Sequence, residues 1–95
     1  MCIRSTRFQV RPDSIGRFQE LVESAKQKTA PLDGLRQSYF AMDDSGKGVM
    51  LGIWESREKA LSSLPAVKAA WAEVMEHLAG QPQIDEYSNA AQVKG

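Results

Sequence analysis

Ninety-five residues, 42% of them hydrophobic and 25% charged, make one globular domain and exclude a disordered chain. Twelve basic and twelve acidic residues cancel, which leaves no basic field for nucleic acid or an anionic membrane surface. No apolar run approaches the roughly 18 residues of a membrane span, and Cys2, the single cysteine, cannot form an internal disulfide.

With no apolar leader pattern at the N-terminus, the expected location is cytoplasmic. A domain this small has a thin core and gains from association with a second copy.

Cys2–Val10 (CIRSTRFQV) reads as a first strand, with Cys2, Arg4, Thr6, Phe8 and Val10 on one face. The other face, Ile3, Ser5, Arg7 and Gln9, turns polar after Ile3. Pro12 then ends the strand, and Asp13 or Ser14 is placed to cap a helix over 13–28. Ile15, Phe18, Leu21, Val22 and Ala25 form its apolar stripe. Pro31 stops it, and Asp33-Gly34 makes the turn.

A second strand over 34–42 places Leu35, Gln37, Tyr39 and Ala41 on one face and Arg36, Ser38, Phe40 and Met42 on the other. The polar tip from Asp43 to Gly48 suits a hairpin into a third strand over 48–55. Val49, Leu51 and Ile53 share one face of that strand; Met50, Gly52 and Trp54 share the other. Ser56 is an N-cap with Glu58 in the first turn, and a helical pattern runs over 56–79 with a break at Pro65. Val67, Ala70, Trp71, Val74 and Leu78 make its stripe. Gly80 and Pro82 end it, and a more polar strand over 83–89 precedes a loose tail.

The order β-α-β-β-α-β, with right-handed crossovers, gives a ferredoxin-like α+β fold: a four-stranded antiparallel sheet with both helices on one face. The helix-free face then carries Met50 and Trp54, or Phe40 and Met42, depending on register. Either set is too apolar for water, so a homodimer through that face is expected.

At GIWESREKAL, followed by an Ala-rich helix ending near His77-Leu78-Ala79, the chain resembles the dimeric α/β-barrel superfamily, and within it the antibiotic-biosynthesis-monooxygenase-like small proteins. The resemblance runs from Ile3 to Tyr87. It implies two protomers packed sheet to sheet, each with space for a small ligand between sheet and helices. It also implies a cofactor-independent monooxygenase-like enzyme on a small aromatic or quinol-like compound, the alternative being a non-catalytic small-molecule binder or accessory dimer. The first-strand Asn, helix Trp and iron-ligating His of haem-degrading members would fall near Thr6, Ser63 and Glu73, and none matches.

Candidate site residues are few. His77, the only histidine, is a residue type suited to carrying a proton, but a place at a helix end also suits a structural role against the dipole. Tyr39 and Tyr87 can hydrogen-bond a carbonyl or phenol, or serve an interface. Trp54 and Trp71 can wall a flat apolar site or simply fill the core. Arg7 and Arg36, on strands, call for a carboxylate such as Glu86 or an anionic ligand.

Asp43-Asp44 lacks the further oxygen ligands a cation needs, and Gly46-Lys47-Gly48 lacks the parts of a phosphate loop. No metal or cofactor is expected, and Cys2 reads as a small buried hydrophobe.

Overall fold

The computed structural model describes residues 1–95. Strand β1 (Cys2–Gln9) is followed by a single 3-10 turn at Pro12–Ser14 and helix α1 (Ile15–Thr29). The hairpin β2 (Leu35–Met42) and β3 (Lys47–Trp54) leads into α2 (Arg57–Ser62) and α3 (Leu64–Ala72), and β4 (Gln83–Tyr87) completes the sheet. The strand order is β2-β3-β1-β4, every neighbour antiparallel. This is the ferredoxin-like α+β arrangement.

Local chemistry explains the element ends. The Ser56 hydroxyl accepts the Lys59 N–H at 3.2 Å and starts α2. The break near Pro65 falls at Ser63, and Pro65 sits in the first turn of α3, where its missing N–H costs nothing. Neither Asp13 nor Ser14 caps α1 by a side-chain hydrogen bond; the 3-10 turn provides the lead-in instead. The helical run is shorter than its pattern: α3 stops at Ala72, and a second 3-10 turn covers Met75–His77. Leu78 then bridges to Val10, and β4 ends at Tyr87.

The β2–β3 turn is held by one carboxylate. Asp43 Oδ1 accepts from Ser45 Oγ at 2.7 Å, Ser45 N at 2.9 Å and Lys47 N at 3.1 Å. Gly46 takes φ +88°, and a Cβ there would meet the Val10 carbonyl oxygen at 2.8 Å. The Ser45 hydroxyl bond, then the Lys47 N–H, hold the Asp43 carboxyl below its ordinary value of 3.8. Because the folded-state value is depressed, this stabilisation is fully present above 3.8 and is lost as pH falls through the lowered value. The Asp43→Asn variant is therefore expected to melt with a flatter acid limb than the parent. Thermal melts across the acid range check it, and parallel curves would overturn it.

Two apolar clusters lie between sheet and helices. Phe8, Val10, Phe18, Val22, Val74 and Leu78 form the larger. Cys2, Trp54 and Ala60 form the smaller, with Leu35 and Val67 packed against it. The register settles the faces and corrects the expectation for the open one. Met50 pairs with Thr6 and Phe40, and Trp54 pairs with Cys2, so Met50, Trp54 and Phe40 all point at the helices.

The helix-free face instead presents Ile3, Val49, Leu51 and Ile53, all half-buried, with Tyr39 and Tyr87 exposed at 53% and 56%. No helix is long and apolar enough to cross a membrane.

Candidate functional site

Phe8, Phe18 and Phe40 cluster with centroids 5.1–6.1 Å apart, and Trp71 meets Phe8 edge-on at 5.8 Å. The Phe18 and Phe40 rings of this cluster form an aromatic floor that, with Trp71, Trp54 and the flanking helices, bounds a cavity of about 390 Å³ between sheet and helices. Trp54, Met50 and Phe40 form its sheet wall, and Phe18, Val67 and Trp71 its helix wall. Gly52 keeps the wall open, since a Cβ there would lie 2.9 Å from Trp54 Nε1. Exposed lining residues, among them Lys26, Ala30 and Arg36, mark the mouth between the end of α1 and β2.

A bulge shapes that mouth. Leu35 pairs with Trp54 and Gln37 with Ile53, leaving Arg36 as the extra residue on β2. Leu35 and Arg36 both line the cavity as a result, where strict alternation would have placed them on opposite faces.

The sealed end is built around Arg4, a residue whose role was not legible in the pattern of the strand. Its side chain is 5% exposed. Nε and Nη2 donate to Glu86 Oε1 at 2.9 and 2.7 Å, and Nη2 also donates to the Ala60 carbonyl at 3.0 Å. The guanidinium carbon stands 5.7 Å from the Trp54 ring centroid. Nη1 is buried and has no partner. Desolvating a guanidinium is costly, and an unmet charged donor costs about 1–3 kcal/mol or more. Arg4 lines the cavity beside Thr6, with Nη1 itself shielded from solvent.

Three sequence candidates reach the cavity: Trp54, Trp71 and Arg36. The other four lie elsewhere, Tyr87 among them, opposite Ile3 on the helix-free face. His77 occupies the 3-10 turn after α3, its side chain 18% exposed and its Nε2 3.4 Å from Glu76 Oε1. Tyr39 is on the helix-free face opposite Leu51. Arg7 is on that face too and pairs with half-buried Asp85 at 3.2 Å, while Glu86 belongs to Arg4. No group of three or more His, Cys, Asp or Glu converges as a metal-binding set.

The fold and cavity define a class: ferredoxin-like domains with an apolar cavity between sheet and helices. The family model for antibiotic biosynthesis monooxygenases matches residues 1–73, and the chain belongs to that family. Solved structures share the fold at low identity. A conserved protein from Methanosarcina mazei Go1 is 19% identical with a TM-score of 0.82, covering 95% of this chain and 94% of that one. Rv0793 from Mycobacterium tuberculosis is 21% identical with a TM-score of 0.79 over 98% of each chain. A structure described as an antibiotic biosynthesis monooxygenase is 14% identical with a TM-score of 0.81, covering 96% of this chain and all of that one. No curated protein matches the chain.

Proposed function

We propose that the protein is a cofactor-independent monooxygenase-like enzyme acting on a small aromatic or quinol-like compound bound in the cavity. The observation that carries this reading is the unfilled, aromatic-walled space of about 390 Å³ with one unsatisfied cationic donor, Arg4 Nη1, at its sealed end. Protein interiors rarely leave such volume, and ligand sites are apolar clefts with a few placed polar groups. Family membership supports the same reaction class.

A hydroquinone can supply every electron required. Hydroquinone plus O2 gives hydroxyquinone plus water: one oxygen atom enters the ring, the other leaves as water, and the substrate undergoes a four-electron oxidation. The protein's part is to hold the ring against Trp71 and Phe40, fix one ring oxygen at Arg4 and exclude bulk water.

The second reading, a binder without turnover, is favoured by one feature: no histidine, carboxylate or tyrosine lines the cavity to act as a base. Oxygen uptake with a polycyclic hydroquinone separates the two. The first reading expects uptake above autoxidation, and uptake at the autoxidation rate together with ligand binding would establish the second.

The Ala70→Trp variant tests the location. Ala70 lines the cavity from α3, and an indole there fills it. Binding and uptake are expected to fall by more than about tenfold with no loss of melting temperature. Unchanged uptake would remove the chemistry from this cavity.

The protein is further proposed to work in the cytoplasm as a homodimer. Its one cysteine is a free buried thiol, and the sheet face carrying Leu51 and Ile53 is the surface a second copy would cover.

A further inference from the structure

Charge on the cavity wall is one-sided. Arg4 at the sealed end and Lys26 and Arg36 at the mouth are its charged residues, and no aspartate or glutamate lines it. The whole chain balances twelve bases against twelve acids, so this asymmetry is local.

The three cations differ in how far they are already neutralised. Lys26 is engaged by Glu23 at 2.8 Å, both exposed. Arg36 pairs with no carboxylate. Arg4 is compensated from one edge only: Glu86 Oε1 takes Nε and Nη2, which leaves the Nη1 edge without an acceptor. A neutral ligand would meet two cations at the mouth with nothing to offer them. An anion entering between Lys26 and Arg36 is attracted throughout and ends beside the Arg4 guanidinium at low local dielectric.

We propose that the cavity selects hydrophobic monoanions: a flat apolar body lying against Phe40, Trp54 and Trp71, bearing a carboxylate or comparably acidic oxygen that sits in the field of the Arg4 guanidinium. This rests on the cavity being the binding site proposed above and names the charge class of its ligand. It does not depend on whether that ligand is oxidised. Glu86 then acts as a tuning residue, since its carboxylate weakens the field that Arg4 presents to the ligand.

Isothermal titration at neutral pH and low salt, with 1-naphthoate and its uncharged carboxamide, tests the proposal; the two share a ring and differ in charge. The wild type is expected to bind naphthoate about tenfold or more tightly than naphthamide, with the gap closing as salt is raised. The Arg4→Met variant should abolish the preference. Glu86→Gln, which keeps an acceptor for Nε but removes the compensating charge, should tighten naphthoate severalfold and leave naphthamide unchanged. These opposite signs keep the test decisive if Arg4→Met fails to fold.

Equal binding of the two probes by the wild type overturns the anion preference while leaving the cavity as a site. So does a Glu86→Gln variant with unchanged or weaker naphthoate binding. Failure of both probes to bind at millimolar concentration overturns the site itself, and with it the functional reading.

Discussion

A Leu51→Glu variant is expected to run as a 10.5 kDa monomer where the wild type runs at twice that mass in light scattering at micromolar concentration. Leu51 sits mid-sheet on β3, between Ser5 of β1 and Tyr39 of β2, on the face no helix covers. With Ile3, Val49 and Ile53 around it, it forms an apolar patch of the kind that marks an interface. A two-fold interface uses the same patch twice, so one substitution places two carboxylates in the contact. At about 2 kcal/mol or more for each unpaired buried carboxylate, dissociation is favoured by at least roughly a thousandfold.

In the monomer the same side chain points to water, so the fold survives. Leu61→Glu, at an apolar residue 45% exposed on α2, is the control and should leave the mass unchanged. A monomeric wild type would overturn the dimer, and a Leu51→Glu variant that keeps the dimeric mass would move its interface off this face.

This face also shows where the sequence was informative and where it was not. The third strand is apolar on both sides, Val49-Leu51-Ile53 and Met50-Trp54, so alternation alone cannot say which set meets the helices. Only pairing with β1 decides, because Trp54 opposite Cys2 and Met50 opposite Thr6 place that set on the helix side. The succession of elements along the chain, the hairpin and the Ser56 cap were legible because each is a local signal.

Arg4 was not, although a clue existed. It is a cation inside the stripe Cys2, Thr6, Phe8, Val10, and a charge on a buried face demands a partner. That the partner is Glu86, with Asp85 going to Arg7, depends on the β1–β4 register across more than 75 positions of chain. No local pattern carries that register. His77 lies outside the cavity lining for a related reason: α3 ends at Ala72, before the helical phase reaches it.

The cavity and the core share one wall, so the floor of the site also bears on the fold's stability. Phe18 is 1% exposed and touches both roles: its ring lies 5.1 Å from Phe8 and 6.1 Å from Phe40, and it lines the cavity. Phe18→Ala is expected to destabilise the protein by about 3–5 kcal/mol, the sum of lost burial and the space left behind. Against a total of about 5–15 kcal/mol for a domain, that is a large fraction. At about 4–8 °C per kcal/mol for chains of this size, the melting temperature should fall by at least roughly 12 °C.

Two features set the size of the effect. The floor already borders open volume, so the neighbouring rings cannot collapse to fill the gap. The aromatic contacts with Phe8 and Phe40 are lost as well, worth about 0.5–1.5 kcal/mol per pair beyond area. Phe18→Leu keeps most of the volume and should cost roughly half as much. Ile84→Ala, at a residue 54% exposed on β4, should stay within about 0.5 kcal/mol. Melts of the three variants at one fixed protein concentration make the comparison, since dimerisation would make melting concentration-dependent. A loss below about 1 kcal/mol for Phe18→Ala would mean that the rings do close over the space, and that the cavity is softer than its aromatic floor implies.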